Sequence, residues 1–330
     1  MPRIDLITGF LGSGKTTFIK KYARFLISHG GMVGILENDY GAVNIDMVLL
    51  EDLMGDNCDV EMITGGDGIL SHMRRFRTKL ISMAMTGYDR VVVEPSGIYD
   101  TDDFFDALEE EPLRSWYSPG SIIAIVDANL PDELSEESEY LLVSQTANAG
   151  RVILSRCGED DAENERNAER VLAHMNRALE RFQCDRRLAR GDIIAKNWDA
   201  FTEKDFVEAA LSGMNPADHV KIPLQQEGGY GTLFYFGTKM EEALLRKKLA
   251  QTFADAGCGN VMRVKGFVRI GENSRVQVNA TRNEIRIEPT VFAREILIVT
   301  GEKLQREAID AIWAPDSEII TPGTEPAHDL

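Results

Sequence analysis

Gly9-Phe10-Leu11-Gly12-Ser13-Gly14-Lys15-Thr16-Thr17 is a complete G-x-x-x-x-G-K-[ST] phosphate loop close to the start of the chain. The residues before it, Ile4, Leu6 and Ile7, read as a short buried strand. Those after it, Phe18, Ile19, Tyr22, Phe25 and Leu26, carry the spacing of one helix face. The motif therefore stands in the strand-loop-helix context that its chemistry needs, and it implies a nucleoside triphosphate site.

Each part of the loop has a physical task. Around Gly12, Ser13 and Gly14 the glycines let consecutive backbone N–H groups point inward at phosphate, and the helix beginning near Gly14 adds the positive end of its dipole. Lys15 reaches the β- and γ-phosphates as a point charge. The Thr16 hydroxyl suits a Mg²⁺ ligand, and Thr17 suits an α-phosphate contact.

Composition narrows what surrounds this site. The 330 residues suffice for about two domains, and 43% apolar with 27% charged residues is the make-up of a water-exposed globular chain. No apolar run approaches the ~20 residues of a membrane span, and Met1-Pro2-Arg3-Ile4 leads into the first strand without a signal sequence, so a cytoplasmic location is expected. A formal charge of −18 argues against nucleic acid and anionic membrane as partners. The acidic stretch from Asp100 to Glu111 could instead meet a basic client. Cys58, Cys157, Cys184 and Cys258 are far apart with no C-x-x-C pair, which reads as four reduced, partly buried thiols.

From Pro2 to about Ile222 short β-branched runs alternate with longer amphipathic stretches. Met32 to Glu37, Cys58 to Ile63, Arg90 to Glu94, Ser121 to Asp127, Arg151 to Ser155 and Gly191 to Ala195 read as strands. Ile69, Met73, Phe76, Leu80 and Ala84 line one helix, and Ala168, Val171, Met175, Leu179 and Phe182 another. The expected fold is an α/β layer sandwich of the P-loop NTPase type with a mostly parallel sheet. Met214-Asn215-Pro216, Pro223 and Gly228-Gly229 read as a linker. After it, strands and two helices make a smaller α+β domain. The predicted organisation is a nucleotide-binding domain over residues 1–222, an α+β domain over 229–314, and a loosely ordered tail over 315–330 rich in proline.

Two further segments fit a nucleotide site. In Val91-Val92-Val93-Glu94-Pro95-Ser96-Gly97 an apolar strand delivers Glu94 toward a Mg²⁺, and Gly97 follows at a turn where its N–H can sense a γ-phosphate. Glu37-Asn38-Asp39-Tyr40-Gly41 leaves the second strand toward Ile45-Asp46, with acids to reach the metal or the attacking water.

On these residues the chain resembles the CobW-like P-loop GTPases, relatives of the HypB and UreG metallochaperones. The resemblance is carried by the phosphate loop Gly9 to Thr17, the E-N-[ED]-[FY]-G segment Glu37 to Gly41 with Ile45-Asp46, the E-x-S-G segment Glu94 to Gly97, and Ile125-Val126-Asp127-Ala128. Arg263-Val264-Lys265-Gly266 looks like that family's C-terminal R-x-K-G. Two departures stand out. Where the family carries G-C-x-C-C, this chain reads Gly65-Gly66-Asp67-Gly68-Ile69, without a thiol, and the nearby His72 reads as a surface or packing residue. Where a GTPase carries N-K-x-D to pair guanine, Ser155-Arg156-Cys157-Gly158 keeps a basic residue but puts glycine in place of the carboxylate, leaving Glu159 or Asp160 as substitutes.

The resemblance implies a Mg²⁺-dependent switch that binds and slowly hydrolyses GTP, with ATP not excluded, and assists the maturation of a client such as a metalloenzyme or cobalamin-dependent protein. Lys15, Glu37, Asp39 and Glu94 are its catalytic candidates. Gly12, Ser13, Gly14, Lys15, Thr16, Thr17, Gly97, Ser155 and Arg156 hold nucleotide, and Thr16 with Glu94 holds Mg²⁺. Alternatives from other classes are a P-loop small-molecule kinase with Arg181, Arg186, Arg187 and Arg190 as a lid, and a non-hydrolysing nucleotide-binding adaptor. No zinc, cobalt or nickel site of high affinity is expected on the nucleotide-free chain.

Overall fold

The computed structural model describes residues 1–38, 49–63, 69–98, 100–222, 229–271, 274–291 and 295–319. The chain divides into two compact units, Met1–Pro223 and Leu224–Leu330.

The first unit is built on a seven-stranded, wholly parallel sheet in the order β3-β2-β4-β1-β5-β6-β7. Its strands are β1 Arg3–Gly9, β2 Val33–Asn38, β3 Cys58–Ile63, β4 Arg90–Pro95, β5 Ser118–Asp127, β6 Arg151–Ser155 and β7 Ile193–Ile194. β2 and β4 are buried at every position, because helices cover both faces of a parallel sheet. The helix after the phosphate loop, α1 Lys15–Ser28, turns Phe18, Ile19, Tyr22 and Ala23 inward against Ile7, Ile35, Val92 and Ile125.

The observed strands extend several of the expected ones by a residue or more, but Gly191 to Ala195 shrinks to Ile193–Ile194, since Arg190–Asp192 turns as a 3₁₀ helix. In the helix Ile69–Thr86 the buried stripe is His72, Phe76, Leu80 and Met83, not the stripe through Met73 and Ala84. The expected linker begins too early. Met214 bridges Ala149, Asn215 N–H donates to Asn148 O and Val220 N–H donates to Phe182 O, so this stretch is tied into the first unit.

The second unit carries an antiparallel sheet in the order β12-β11-β10-β13-β8-β14, with β9 joined to β10 in parallel. The strands are β8 Tyr230–Phe236, β9 Lys239–Met240, β10 Asn260–Ile270, β11 Ser274–Thr281, β12 Ile285–Thr290, β13 Ile296–Glu302 and β14 Glu318–Ile319. Helices Glu242–Ala254 and Arg306–Trp313 contribute Leu245, Leu249, Ile309 and Trp313 to its core with Tyr235 and Val264. The chain does not loosen at residue 315: Ala314–Asp316 forms a 3₁₀ turn, Asp316 pairs with Lys248, and β14 pairs with β8. Residues 320–330 lie outside the described residues.

Candidate nucleotide site

The sheet order puts β1 between β4 and β5, so the loop leaving β1 is flanked by the ends of both. Gly14 caps α1 in the left-handed region, at φ 101°, a geometry that glycine adopts without strain. A Cβ on Gly9 would stand 2.2 Å from the Ile125 carbonyl oxygen, so the loop can leave β1 this close to β5 only without a side chain. Lys15 is 6% exposed and folds over the loop, its Nζ donating to Gly9 O at 3.0 Å. Ser13 Oγ is buried and has no hydrogen-bond partner among the described residues. A backbone cradle, a buried ammonium and a spare buried hydroxyl fit a bound phosphate chain.

Thr16 and Glu94 meet. The Thr16 hydroxyl donates to Glu94 Oε1 at 3.0 Å in a buried setting, joining the first turn of α1 to the end of β4. Glu94 stands opposite Glu37 in the β2–β4 register, and both carboxylates are buried. A hydroxyl beside carboxylates is an all-oxygen donor set of the kind Mg²⁺ takes. Asp39, Tyr40, Gly41, Ile45 and Asp46 lie outside the described residues, as do Gly65 to Gly68. Ile69 begins the helix that follows.

Gly97 presses against the phosphate loop. A Cβ there would stand 2.6 Å from Leu11 N and 2.9 Å from Phe10 C, both backbone atoms. Ser96 N–H donates to Asn38 O at 2.9 Å, and the Gly97 carbonyl accepts from Gln145 Nε2 at 3.0 Å. Thr17 is exposed in α1 and makes no hydrogen bond to these groups among the described residues.

The loop after β6 reaches the same place. Arg156 sits at φ 56°, and its guanidinium donates to Gly12 O at 2.9 Å and pairs with the Asp127 carboxylate. Ser155 ends β6, buried, 3.7 Å from where a Gly14 Cβ would be. Gly158 is fastened at both polar atoms by the buried Asn164 side chain, at 3.0 Å each way. Asp160 caps the helix Asp161–Arg181, its Oδ1 accepting from both Ala162 and Glu163 N–H.

The sequence reading missed two residues here. Trp198 packs its ring 3.1 Å from the Gly14 Cβ position, edge-on to Phe18, and donates Nε1–H to Leu154 O at 2.8 Å. Gln145 emerges from a helix buried on nearly every face, which carries no amphipathic signal. His72, read as surface or packing, is buried with Nε2 2.6 Å from Asn38 Oδ1.

Beneath the site, Arg90 Nη1 donates to Asp5 Oδ2 and to Tyr22 Oη, each at 2.7 Å, while Tyr22 Oη donates to Asp5 at 2.8 Å. Burial pushes the Asp5 carboxyl up, against the pull of the Arg90 charge. The cluster ties β1, α1 and β4 together below the atoms that would meet nucleotide. Burial also raises the Cys58 and Cys157 thiols to about 11, leaving both protonated at neutral pH. Among the described residues no group of three or more His, Cys, Asp or Glu is placed to hold a metal ion, and no helix is long and apolar enough to cross a membrane.

A family model described as the CobW/HypB/UreG nucleotide-binding domain matches residues 3–183. The chain is 28% identical over 177 residues to zinc chaperone YjiA of Escherichia coli (strain K12), covering 50% of this chain and 53% of that one. It is 30% identical over 175 residues to zinc chaperone YeiR of the same organism, covering 52% and 51%. The chain spans about half the length of the curated relatives it matches. Against the crystal structure of Zn(II)-bound YjiA GTPase from E. coli it is 18% identical, covering 96% of this chain and 100% of that one at a TM-score of 0.33.

Proposed function

This chain belongs to the CobW/HypB/UreG family of nucleotide-binding domains, and from that premise we propose that it is a Mg²⁺-dependent switch that binds and slowly hydrolyses GTP to assist metal or cofactor insertion into a client protein. The observation that carries the proposal is the Thr16–Glu94 hydrogen bond, which sets a hydroxyl and a buried carboxylate side by side at the mouth of the phosphate loop. Lys15 and the Gly12–Gly14 backbone bind the phosphates, and Thr16 and Glu94 would hold a Mg²⁺, which would supply charge neutralisation to the phosphate chain. Glu37, beside Glu94, is a second candidate for orienting metal or water, with Asp39 as a further one. Gly97 N–H reads the γ-phosphate, so that triphosphate and diphosphate states hold the Glu94–Gly97 segment differently. Arg156 is engaged with Asp127 and Gly12 and is therefore a loop fastener, in keeping with slow intrinsic turnover.

The relatives named zinc chaperones make a metalloprotein the leading client and zinc its leading cargo. A cobalamin-dependent client is the second choice. Against the kinase alternative, three of its four lid arginines are engaged elsewhere: Arg181 pairs with Glu136 and Glu139, Arg186 donates to Ala147 O and Ala149 O, and Arg190 clamps Glu165, while Arg187 is exposed. Calorimetric titration of the protein with GTP, GDP and ATP, with Mg²⁺ and with EDTA, tests the reading. The expected result is tight, Mg²⁺-enhanced binding of GTP that Lys15→Ala abolishes. Equal affinities for Lys15→Ala and the parent would overturn it, and equal affinities for GTP and ATP would remove guanine selection.

A further inference from the structure

The helix Glu136–Ala147 grips the segment that follows Glu94 at three successive places. Gln145 Nε2 donates to Gly97 O. Tyr140 Oη and Ser144 Oγ donate to the two Asp100 oxygens at 2.6 and 2.8 Å. Ser144 also takes both polar groups of Thr101, its Oγ accepting from Thr101 N–H and its carbonyl accepting from Thr101 Oγ1. Tyr140, Ser144 and Thr101 are structural fastenings with their partners in place.

Gln145 differs from them. It is 2% exposed, and its Oε1 accepts no hydrogen bond among the described residues. A buried acceptor left without a donor costs free energy that an apolar side chain of the same shape would avoid. The residue it touches has a matching peculiarity. Ser96 N–H is held by Asn38 O on one side and Gly97 O by Gln145 on the other, while the Gly97 N–H between them donates no hydrogen bond among the described residues. That unused donor belongs to the residue packed against Phe10 and Leu11 of the phosphate loop.

We propose that Gln145 is a positioning residue for γ-phosphate recognition: its amide holds the Gly97 carbonyl and so sets the backbone orientation at Gly97, leaving the Gly97 N–H for a terminal phosphate, and its spare Oε1 takes a donor in the triphosphate state. The inference rests on the nucleotide-switch reading above and adds the residue that sets discrimination between triphosphate and diphosphate. It predicts a specific signature. Removing the amide leaves diphosphate binding as it was, because Lys15 and the loop backbone do not depend on Gln145, but weakens the triphosphate.

The test is calorimetry with a non-hydrolysable GTP analogue and with GDP, each with Mg²⁺, on the parent protein and on Gln145→Met, which keeps side-chain length and apolar bulk. The preference of the parent for triphosphate over diphosphate should fall about tenfold in the variant, the size of one lost hydrogen bond, with GDP affinity unchanged. Gln145→Asn, whose amide stops one methylene short of Gly97 O, should behave alike and serves if the methionine variant does not fold. Ser144→Ala loosens the same segment without touching Gly97 and should leave the preference intact. A Gln145 variant that keeps the parent's triphosphate preference, or a Ser144→Ala that loses it equally, overturns the assignment. A parent protein that binds neither nucleotide overturns the underlying switch reading instead.

Discussion

Replacing Gly97 with alanine tests the fit between the Glu94–Gly97 segment and the phosphate loop. The new Cβ would stand 2.6 Å from Leu11 N, 2.8 Å from Leu11 Cα and 2.9 Å from Phe10 C, against 3.4 Å for ordinary contact, so the two segments must separate by roughly 0.8 Å (3.4 less 2.6). All three atoms are backbone, and Leu11 is held in a loop closed by the Ser13 N–H to Phe10 O bond at 3.1 Å, so no side-chain rotation relieves the clash. Overpacking of this kind costs about 1–3 kcal/mol. Because the displaced donor would meet only a terminal phosphate, the loss should appear as about 5- to 150-fold weaker triphosphate binding, with diphosphate affinity little changed. Calorimetry on Gly97→Ala with a non-hydrolysable GTP analogue and with GDP reads this directly, and thermal melting reports whether the fold survives. A folded variant with the parent's triphosphate affinity would refute the reasoning.

Glu94→Gln keeps an acceptor for the Thr16 hydroxyl but removes the charge, so the Mg²⁺ concentration for half-maximal GTP binding should rise at least tenfold, on the scale of a lost charge-assisted contact of about 1.5–3 kcal/mol; an unchanged Mg²⁺ requirement would move the metal elsewhere. Asp103 has its carboxyl pushed up to about 6 by burial and by Asp100, Asp106 and Asp102. Its folded value lies above its unfolded one, so its contribution is complete at low pH and is lost as pH rises from about 4 through 6. Asp103→Asn should thus stabilise the protein at pH 8 by about 1 kcal/mol, less than the whole shift implies because the carboxylate is partly solvated, and add nothing at pH 4; a gain in urea midpoint that is the same at both pH values would contradict this. Any zinc taken up by the nucleotide-free protein should be held equally well by Cys58→Ser and Cys157→Ser, since both thiols are buried and, among the described residues, neither belongs to a group of three or more metal donors, and a tenfold loss in a chelator competition would show otherwise.

What could be read from the sequence follows from how local its causes are. The phosphate loop, the apolar strands and the helix Asp161–Arg181 announce themselves through spacing within a few residues, and the parallel sheet follows from their alternation. Contacts between distant segments left no such trace. Trp198 reaches Gly14 from far along the chain, and Gln145 sits in a helix whose buried residues surround it, so neither stands out by period. His72 read as a surface or packing residue because its partner, Asn38, lies far from it in sequence, at the end of β2. The end of the chain misled for another reason: Pro315 suggests looseness, yet the backbone just beyond it finds an open strand edge on β8 to pair with. Met214 and Pro216 look like linker residues, and only the carbonyls of Asn148 and Phe182 reveal that this stretch is anchored.

The place of β1 in the sheet also governs how the protein can be made. The strand Arg3–Gly9 is synthesised before its two neighbours, β4 and β5, and β5 ends at Asp127. At a ribosomal pace of roughly 5–20 residues per second, an apolar strand and the phosphate loop wait about 6 to 24 seconds for both partners to appear. The strand and loop of the nucleotide cradle thus leave the ribosome well before the strands that flank them, and until those appear the edges of β1 are open to any chain that comes near.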